Sequence, residues 1–464
     1  MSAELNMKDM YATFVRHALA PLDAFRQGSD HYAILKQLRE SQYYATERLR
    51  EISLAKLNAT VRYAFEHCPF YREKYSAVGY TPTDELDEES FLKLPILSKR
   101  DIQENLEQLR SDEYSADDLI ANQTGGSTGE PLKFYLDKPR AVSRLAATLR
   151  HDEWAKYRPG DRVGLLWGAA QDFADESNLK VRLRKKLLDR SLILNAVSMS
   201  TDVMTDYYHK LCEFQPKVLL AYAHTAYVFA EFIKAQGWNA PSPDSVITTA
   251  ELLSDTEREV IEEVFDTEVF DRYGCREVSI IASECESHDG LHVNVENLYL
   301  EILKGDSLAD DGEIGEIVLT DLENRGMPLI RYQIADSAEW VTREKTCSCG
   351  RTLPRIRITG GRVNEFLVTA DGRLVAGTAL TIFLSTAIPG VAQMQLYQKE
   401  VGEVTVRVVA DDSGIDERTA LEKVRSFLGE DMKVTVSYQE YIPREKSGKY
   451  RFSISEVAHR YIGK

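Results

Sequence analysis

Cysteine is scarce: there are six in 464 residues, without the dense pairing that staples small secreted domains. The opening MSAELNMKDMYA carries acidic groups early and lacks the apolar core of a secretory leader. No apolar run reaches bilayer length; the most apolar stretch, VLLAYAHTAYVFAEFI, is broken by His224 and Glu231. Basic residues number 57 against 74 acidic ones, and the net charge of −17 argues against general affinity for nucleic acid or an anionic membrane. A GxxxxGK[ST] loop, a GxGxxG fingerprint, a redox CxxC and a Ser-His-Asp triad are not evident. Together these absences predict a cytoplasmic protein whose partners are small molecules. A small anion stays open as a ligand, because one local loop can bind phosphate within an acidic chain.

What is present is an ordinary globular composition, 43% apolar, at a length suited to one large domain plus a smaller one. Thr124-Gly125-Gly126-Ser127-Thr128-Gly129 stands out, between the helical-looking DEYSADDLI and the strand-like LKFYL. Glycines leave backbone amides open, successive amides form a concave nest that suits phosphate, and the hydroxyls add neutral donors. The competing reading is a plain surface loop.

Residues 1 to about 75 have helical spacing. From Arg162 to Gly274, strand and helix signals alternate, which predicts βαβ units and a largely parallel sheet. Between about 290 and 345, short strands separated by Gly and Asp turns predict an antiparallel or barrel-like subdomain. The adjacent Gly360 and Gly361 mark the best boundary. Beyond them lies a compact α+β pattern ending in the basic segment Arg444 to Arg451. The basic stretch VRLRKKLLDRS reads as a solvated amphipathic helix, with a membrane or partner surface as the alternative.

The ordered set TGGSTGEPL, YGCRE, PLIRYQIAD, CSCGRTLPRI, GGRVNEF and KSGKYR resembles the adenylate-forming acyl ligase superfamily. It is similar in particular to the branch with phenylacetate–CoA ligases, coenzyme F390 synthetases and CapK-like proteins. The resemblance runs from about residue 45 to the C-terminus. It implies a large α/β N-terminal domain binding ATP and the acid, residues 1–361, with mostly parallel sheets plus a strand-rich subdomain. It further implies a small mobile α+β lid, residues 362–464, that carries the catalytic lysine.

By this resemblance the chain converts a carboxylic acid, an aromatic one by family expectation, to its acyl-adenylate with release of pyrophosphate. The acyl group then passes to a thiol, that of coenzyme A. Transfer to an amine, F390 synthetase-like adenylyl transfer, and a non-catalytic nucleotide-binding protein are the alternatives. Thr124 through Gly129 would cradle the departing phosphates, Tyr273 would pack on adenine, and Gly274 would keep that turn tight. Glu277 would reach Mg²⁺, Arg276 the α-phosphate, Asp336 the ribose hydroxyls, Arg362 the ribose or phosphate, and Glu251 the adenine pocket. Lys449 would stabilise charge at the α-phosphate, and Asn364 stands at the hinge. Two departures stand out: Ala250 and Ala335 occupy positions where the superfamily has glycine. Trp167, Tyr222, His224 and Thr249 are plausible walls of an acyl pocket.

Cys285, His292, Cys347 and Cys349 form a C-x6-H and C-x-C set. Three thiolates and one imidazole suit a closed, structural zinc site, the alternative being reduced core cysteines. Oligomeric state is not legible in the sequence.

Overall fold

A computed structural model of the chain describes residues 10–83, 85–124, 132–167, 183–195, 201–342, 346–362, 366–372, 374–411, 414–443 and 451–460. Helices occupy the start of the chain, including His31–Ser41, Thr46–His67 and Pro69–Ala77. In Thr46–His67 the buried Leu49, Ser53, Leu57, Val61 and Ala64 recur every three or four positions, so one stripe faces the core.

Twelve strands form one sheet. Val163–Trp167, Ser191–Asn195, Val218–Tyr222, Ser245–Thr249 and Val269–Cys275 pair in parallel. Val163–Trp167 has Ser191–Asn195 on one flank and Val218–Tyr222 on the other. The winding therefore reverses there, and such a reversal leaves a ligand crevice beyond the carboxyl ends of the strands. From Val269–Cys275 onward the pairing is antiparallel, through Ser279–Glu284, Leu291–Val293, Arg355–Arg362, Tyr332–Trp340, Gly315–Asp321 and Leu298–Lys304. The strand-rich region is thus the antiparallel continuation of the parallel sheet.

Leu57, Phe134, Leu319 and Ile356 belong to the apolar cluster of the antiparallel half, and Leu166, Leu219, Phe229 and Phe265 to that of the parallel half. Buried ion pairs bind the helix Lys138–Trp154 to the antiparallel half: Arg140 to Asp321 at 2.6 Å and Arg150 to Glu296 at 2.6 Å. Removing one member of such a pair would strand a buried charge.

One local expectation fails. DEYSADDLI is not a helix: it contains a short turn at Ala116–Asp118 and then the strand Ile120–Gln123, antiparallel to Lys133–Leu136. Ser115 and Asp118 cap the turn reciprocally, so these polar side chains compete with helix propagation. The glycine run therefore connects two paired strands.

The small α+β unit is present as expected. Val391–Gln398, Glu403–Ala410, Lys433–Tyr438 and Ser453–Ser455 make a separate four-stranded sheet. The helices Gly377–Ala387 and Glu417–Leu428 pack on it around Leu384, Leu396, Val406 and Val424.

Candidate active site

Thr124 closes the base of the hairpin. Its N–H donates to the Leu132 carbonyl at 2.9 Å, and its hydroxyl accepts from the Leu132 N–H at 2.9 Å. Gly125, Gly126, Ser127, Thr128 and Gly129 lie outside the described residues. The hairpin leads into the helix Lys138–Trp154, whose N-terminus is capped by the Asp137 side chain accepting from the Arg140 N–H.

Two phenol–carboxylate pairs bring distant segments together. The Tyr273 hydroxyl donates to Asp336 Oδ2 at 2.7 Å, and the Tyr332 hydroxyl donates to Glu277 Oε1 at 2.9 Å. Burial, then the adjacent Asp336 carboxylate, hold the Tyr273 phenol well above its usual pKa, so it stays a proton donor. Glu277 is itself buried. Tyr332 stands in the PLIRYQIAD motif without a role of its own read from the sequence, although it lies four residues before Asp336 on the same strand, a spacing that normally returns to the same face.

Gly274 sits where the ladder between Val269–Cys275 and Ser279–Glu284 shifts register. A Cβ on Gly274 would lie 2.4 Å from the Ser279 carbonyl oxygen and 3.2 Å from Ile280 Cα. Backbone must move to admit it. Gly274→Ala is expected to lower stability by about 1–3 kcal/mol, with a matching drop in the thermal midpoint. Calorimetry showing an unchanged midpoint would contradict this.

Arg276 presents its carbonyl to Arg144 Nη2 at 2.7 Å. Arg144 is a second residue that motif reading passed over. Its Nη1 is buried and makes no hydrogen bond among the described residues. Burial, then the neighbouring Arg140, lower its pKa to about 10, with Asp321, Cys275 and Glu277 opposing. A cation thus stands behind the Arg276–Glu277 turn. Its only sequence signal was its place on the helix after the glycine run.

Ala250 (φ 68°) and Ala335 (φ 63°) both have left-handed backbone. A Cβ there costs about 1–2 kcal/mol, which gives glycine a local advantage at these two positions. Glu251, one residue on, accepts from the His224 N–H at 3.1 Å, and His224 Nδ1 meets Glu257 at 3.0 Å. The His224 ring also lies edge-on to Phe452, with centroids 4.8 Å apart, so a residue of the C-terminal segment touches this rim. Trp167 and Tyr222 end neighbouring strands at the winding reversal with ring centroids 4.8 Å apart, and Thr249 ends the next strand. Arg362 is the backbone partner of Asp336 across the sheet. Lys449 and Asn364 lie outside the described residues.

The sulfur–imidazole set is assembled. The ligand atoms of Cys285, His292, Cys347 and Cys349 all lie within 4.8 Å of one another. Cys285 Sγ and Cys347 Sγ are 3.7 Å apart; tetrahedral zinc with Zn–S bonds near 2.3 Å sets sulfurs about 3.8 Å apart. His292 Nδ1 donates to the Leu353 carbonyl at 2.9 Å, which leaves Nε2 facing Cys349 Sγ at 3.4 Å. Burial lowers the His292 pKa to about 4, so the ring is neutral at pH 7, as a metal ligand must be. Gly350, with φ 80°, donates back to the Cys347 carbonyl and folds the C-x-C segment into a tight turn. The donor set, the spacing and the outer hydrogen bond all fit zinc.

Comparisons with known proteins bear out the resemblance read from the motifs. Residues 367–456 match the CapK C-terminal domain. Over 439 residues the chain is 24% identical to protein CapK of Staphylococcus aureus, covering 93% of this chain and 94% of that one. It is 24% identical over 335 residues to phenylacetate-coenzyme A ligase of Pseudomonas putida, covering 70% and 73%. Among solved structures, 2-hydroxyisobutyryl-CoA ligase in its postadenylation state superposes with a TM-score of 0.71 at 20% identity, over 91% of this chain and 93% of that one. The anthranilate CoA ligase AuaEII bound to anthranoyl-AMP gives 0.54 at 14% identity, over 74% and 67%.

Proposed function

We propose that this chain, an adenylate-forming ligase by sequence relationship and fold, is an AMP-forming acid–thiol ligase. It activates a carboxylic acid with ATP, releases pyrophosphate and passes the acyl group to the thiol of coenzyme A. The observation that carries this reading is the convergence of Tyr273 with Asp336 and of Glu277 with Tyr332, which joins Val269–Cys275 and its following turn to Tyr332–Trp340 although three strands lie between them in the sheet. An aromatic face beside a carboxylate suits a nucleoside, since a carboxylate accepts both ribose hydroxyl protons.

In the first half-reaction a carboxylate oxygen of the acid bonds to the α-phosphorus of ATP, and the bond to pyrophosphate breaks. Tyr273 packs on the adenine, Glu251 lines its pocket, and Asp336 with Arg362 holds the ribose. Thr124 through Gly129 grips the leaving pyrophosphate, and Arg276 and Lys449 stabilise the charge that develops at the α-phosphate. Glu277 would hold Mg²⁺, an ion that takes one or two protein carboxylates beside phosphate oxygens. When bound, the ion supplies charge neutralisation for the triphosphate. In the second half-reaction the thiolate sulfur attacks the acyl carbonyl and AMP departs, which requires Lys449 to withdraw as the small domain turns. The crevice bounded by Trp167 and Tyr222 takes the acyl group, and its aromatic walls favour an aromatic acid. The three-cysteine, one-histidine cluster holds one structural zinc, since its four protein donors leave no open coordination position for water.

Pyrophosphate exchange over a panel of acids tests the reading. Exchange should rise at least about tenfold above the acid-free rate, more with aryl than with short aliphatic acids, and the productive acid should then consume coenzyme A thiol. Exchange indifferent to added acid would sink the ligase assignment. Acid-dependent exchange without thiol loss, but with amide formation, would move the acceptor to an amine.

A further inference from the structure

Tyr222 ends the strand Val218–Tyr222, and His224 stands in the first turn of the helix Ala223–Ala235 that follows it. A backbone N–H in that turn has no partner within its own helix. The His224 N–H finds one in the Glu251 carboxylate at 3.1 Å, just beyond the end of the strand Ser245–Thr249. The imidazole meets a second acid: its Nδ1 lies 3.0 Å from Glu257 Oε1, and the Glu257 side chain is fully buried. Glu257 is held in turn. Its Oε2 accepts from the Ser254 N–H at 3.1 Å and from the Ser254 hydroxyl at 3.0 Å. A carboxylate only accepts, so the imidazole hydrogen sits on Nδ1 and the lone pair on Nε2. A carboxylate behind one ring nitrogen orients the other to take a proton.

Three landmarks place this ring. Two residues before it, Tyr222 meets Trp167 at the winding reversal, in the crevice that takes the acyl group. On its backbone side stands Glu251, which lines the adenine pocket. The Phe452 ring, three residues along the chain from Lys449, stands at 84° to the imidazole with centroids 4.8 Å apart. In an acyl-adenylate the acyl carbonyl joins the acyl group to the nucleotide, so a ring between the two pockets stands beside the reacting carbon. We propose that His224 is the general base of acyl transfer, taking the proton of the acceptor thiol. This rests on the ligase reading above and adds a catalytic group to its second half-reaction. Nε2 accepts the S–H proton while the sulfur electron pair forms the bond to the acyl carbon. The bond from that carbon to the phosphate oxygen breaks, and AMP leaves with its electron pair. The proton then passes from the imidazolium to solvent, which reaches the 18% exposed His224 side chain. Glu257 is a positioning residue that fixes the tautomer. Phe452 moves with the Lys449 segment, so withdrawal of that segment uncovers the ring for the acceptor.

Half-reactions measured separately on the full chain, with acid and ATP saturating, test this. His224→Gln should slow single-turnover transfer from the bound adenylate to coenzyme A by about 100-fold or more, the effect of losing a general base. Pyrophosphate exchange, and trapping of the adenylate by hydroxylamine, should each fall by less than about fivefold. Glu257→Gln should slow thiol transfer by about 100-fold as well, because it reverses the tautomer. The Ser254 N–H keeps the amide oxygen, which turns the amide NH₂ toward Nδ1 and moves the ring hydrogen to Nε2. Thiol transfer in His224→Gln within about fivefold of the unaltered protein, with exchange retained, would overturn the proposal. So would exchange, trapping and transfer falling together in either variant, which would make the pair structural. An unaltered protein without acid-dependent exchange would instead sink the ligase reading, and the base with it.

Discussion

A Glu277→Gln protein is expected to lose pyrophosphate exchange by about 100- to 1,000-fold while folding normally. Glutamine keeps the shape, and its amide oxygen can still accept the Tyr332 hydroxyl that now reaches Glu277 Oε1 at 2.9 Å. What disappears is the negative charge, and a hard divalent cation needs a carboxylate more than a neutral amide. The loss should appear in kcat and in the magnesium dependence of exchange. Thermal midpoint and zinc content should not move. Tyr332→Phe gives a graded control, because a hydrogen bond to a charged group contributes about 1.5–3 kcal/mol and its loss leaves the carboxylate present but less well held. Exchange in Glu277→Gln within about fivefold of the unaltered protein would take this residue out of the cation site.

Cys347→Ser should produce the largest structural effect. Purified protein is expected to contain close to one zinc per chain and the variant close to none, because hydroxyl does not replace thiolate as a zinc ligand at neutral pH. The four donors come from two segments: Cys285 follows the strand Ser279–Glu284 and His292 lies on Leu291–Val293, whereas Cys347 and Cys349 stand between Tyr332–Trp340 and Arg355–Arg362. The metal therefore closes a long loop of chain, and its binding free energy acts as folding free energy for that half of the sheet. The variant, or the unaltered protein with a chelator, should unfold several degrees lower, and added zinc should restore only the latter. Metal analysis finding no zinc in the unaltered protein would dismiss the site, whatever the variant does.

The legible parts of this chain were those set by short-range rules. Alternating strand and helix signals gave the parallel strands, and the C-x6-H and C-x-C spacings marked donors that do meet in space. DEYSADDLI was misread because its acidic and hydroxyl groups favour a reciprocal cap over a continuing helix, and spacing does not register that competition. Arg144 and Tyr332 were missed for a different reason. Each owes its place at the site to a partner more than fifty residues away, Arg276 and Glu277 respectively. The backbone cost that Ala250 and Ala335 carry shows only in their left-handed φ, which residue identity alone does not display.

The strand Arg355–Arg362 has a consequence beyond its place in the sheet. At its start Arg355 is the backbone partner of His292, a member of the sulfur–imidazole cluster; at its end Arg362 is the partner of Asp336, just before the small domain begins. On the function proposed above, one length of backbone would thus join an anchor, a nucleotide contact and a turning point. A lever turns usefully only if its far end is clamped. If the small domain turns as proposed, loosening the clamp at His292 would let its torque dissipate along the ladder instead of reaching Asp336. In that case the cluster would help decide how tightly the position of the small domain and the occupancy of the proposed nucleotide site report on each other.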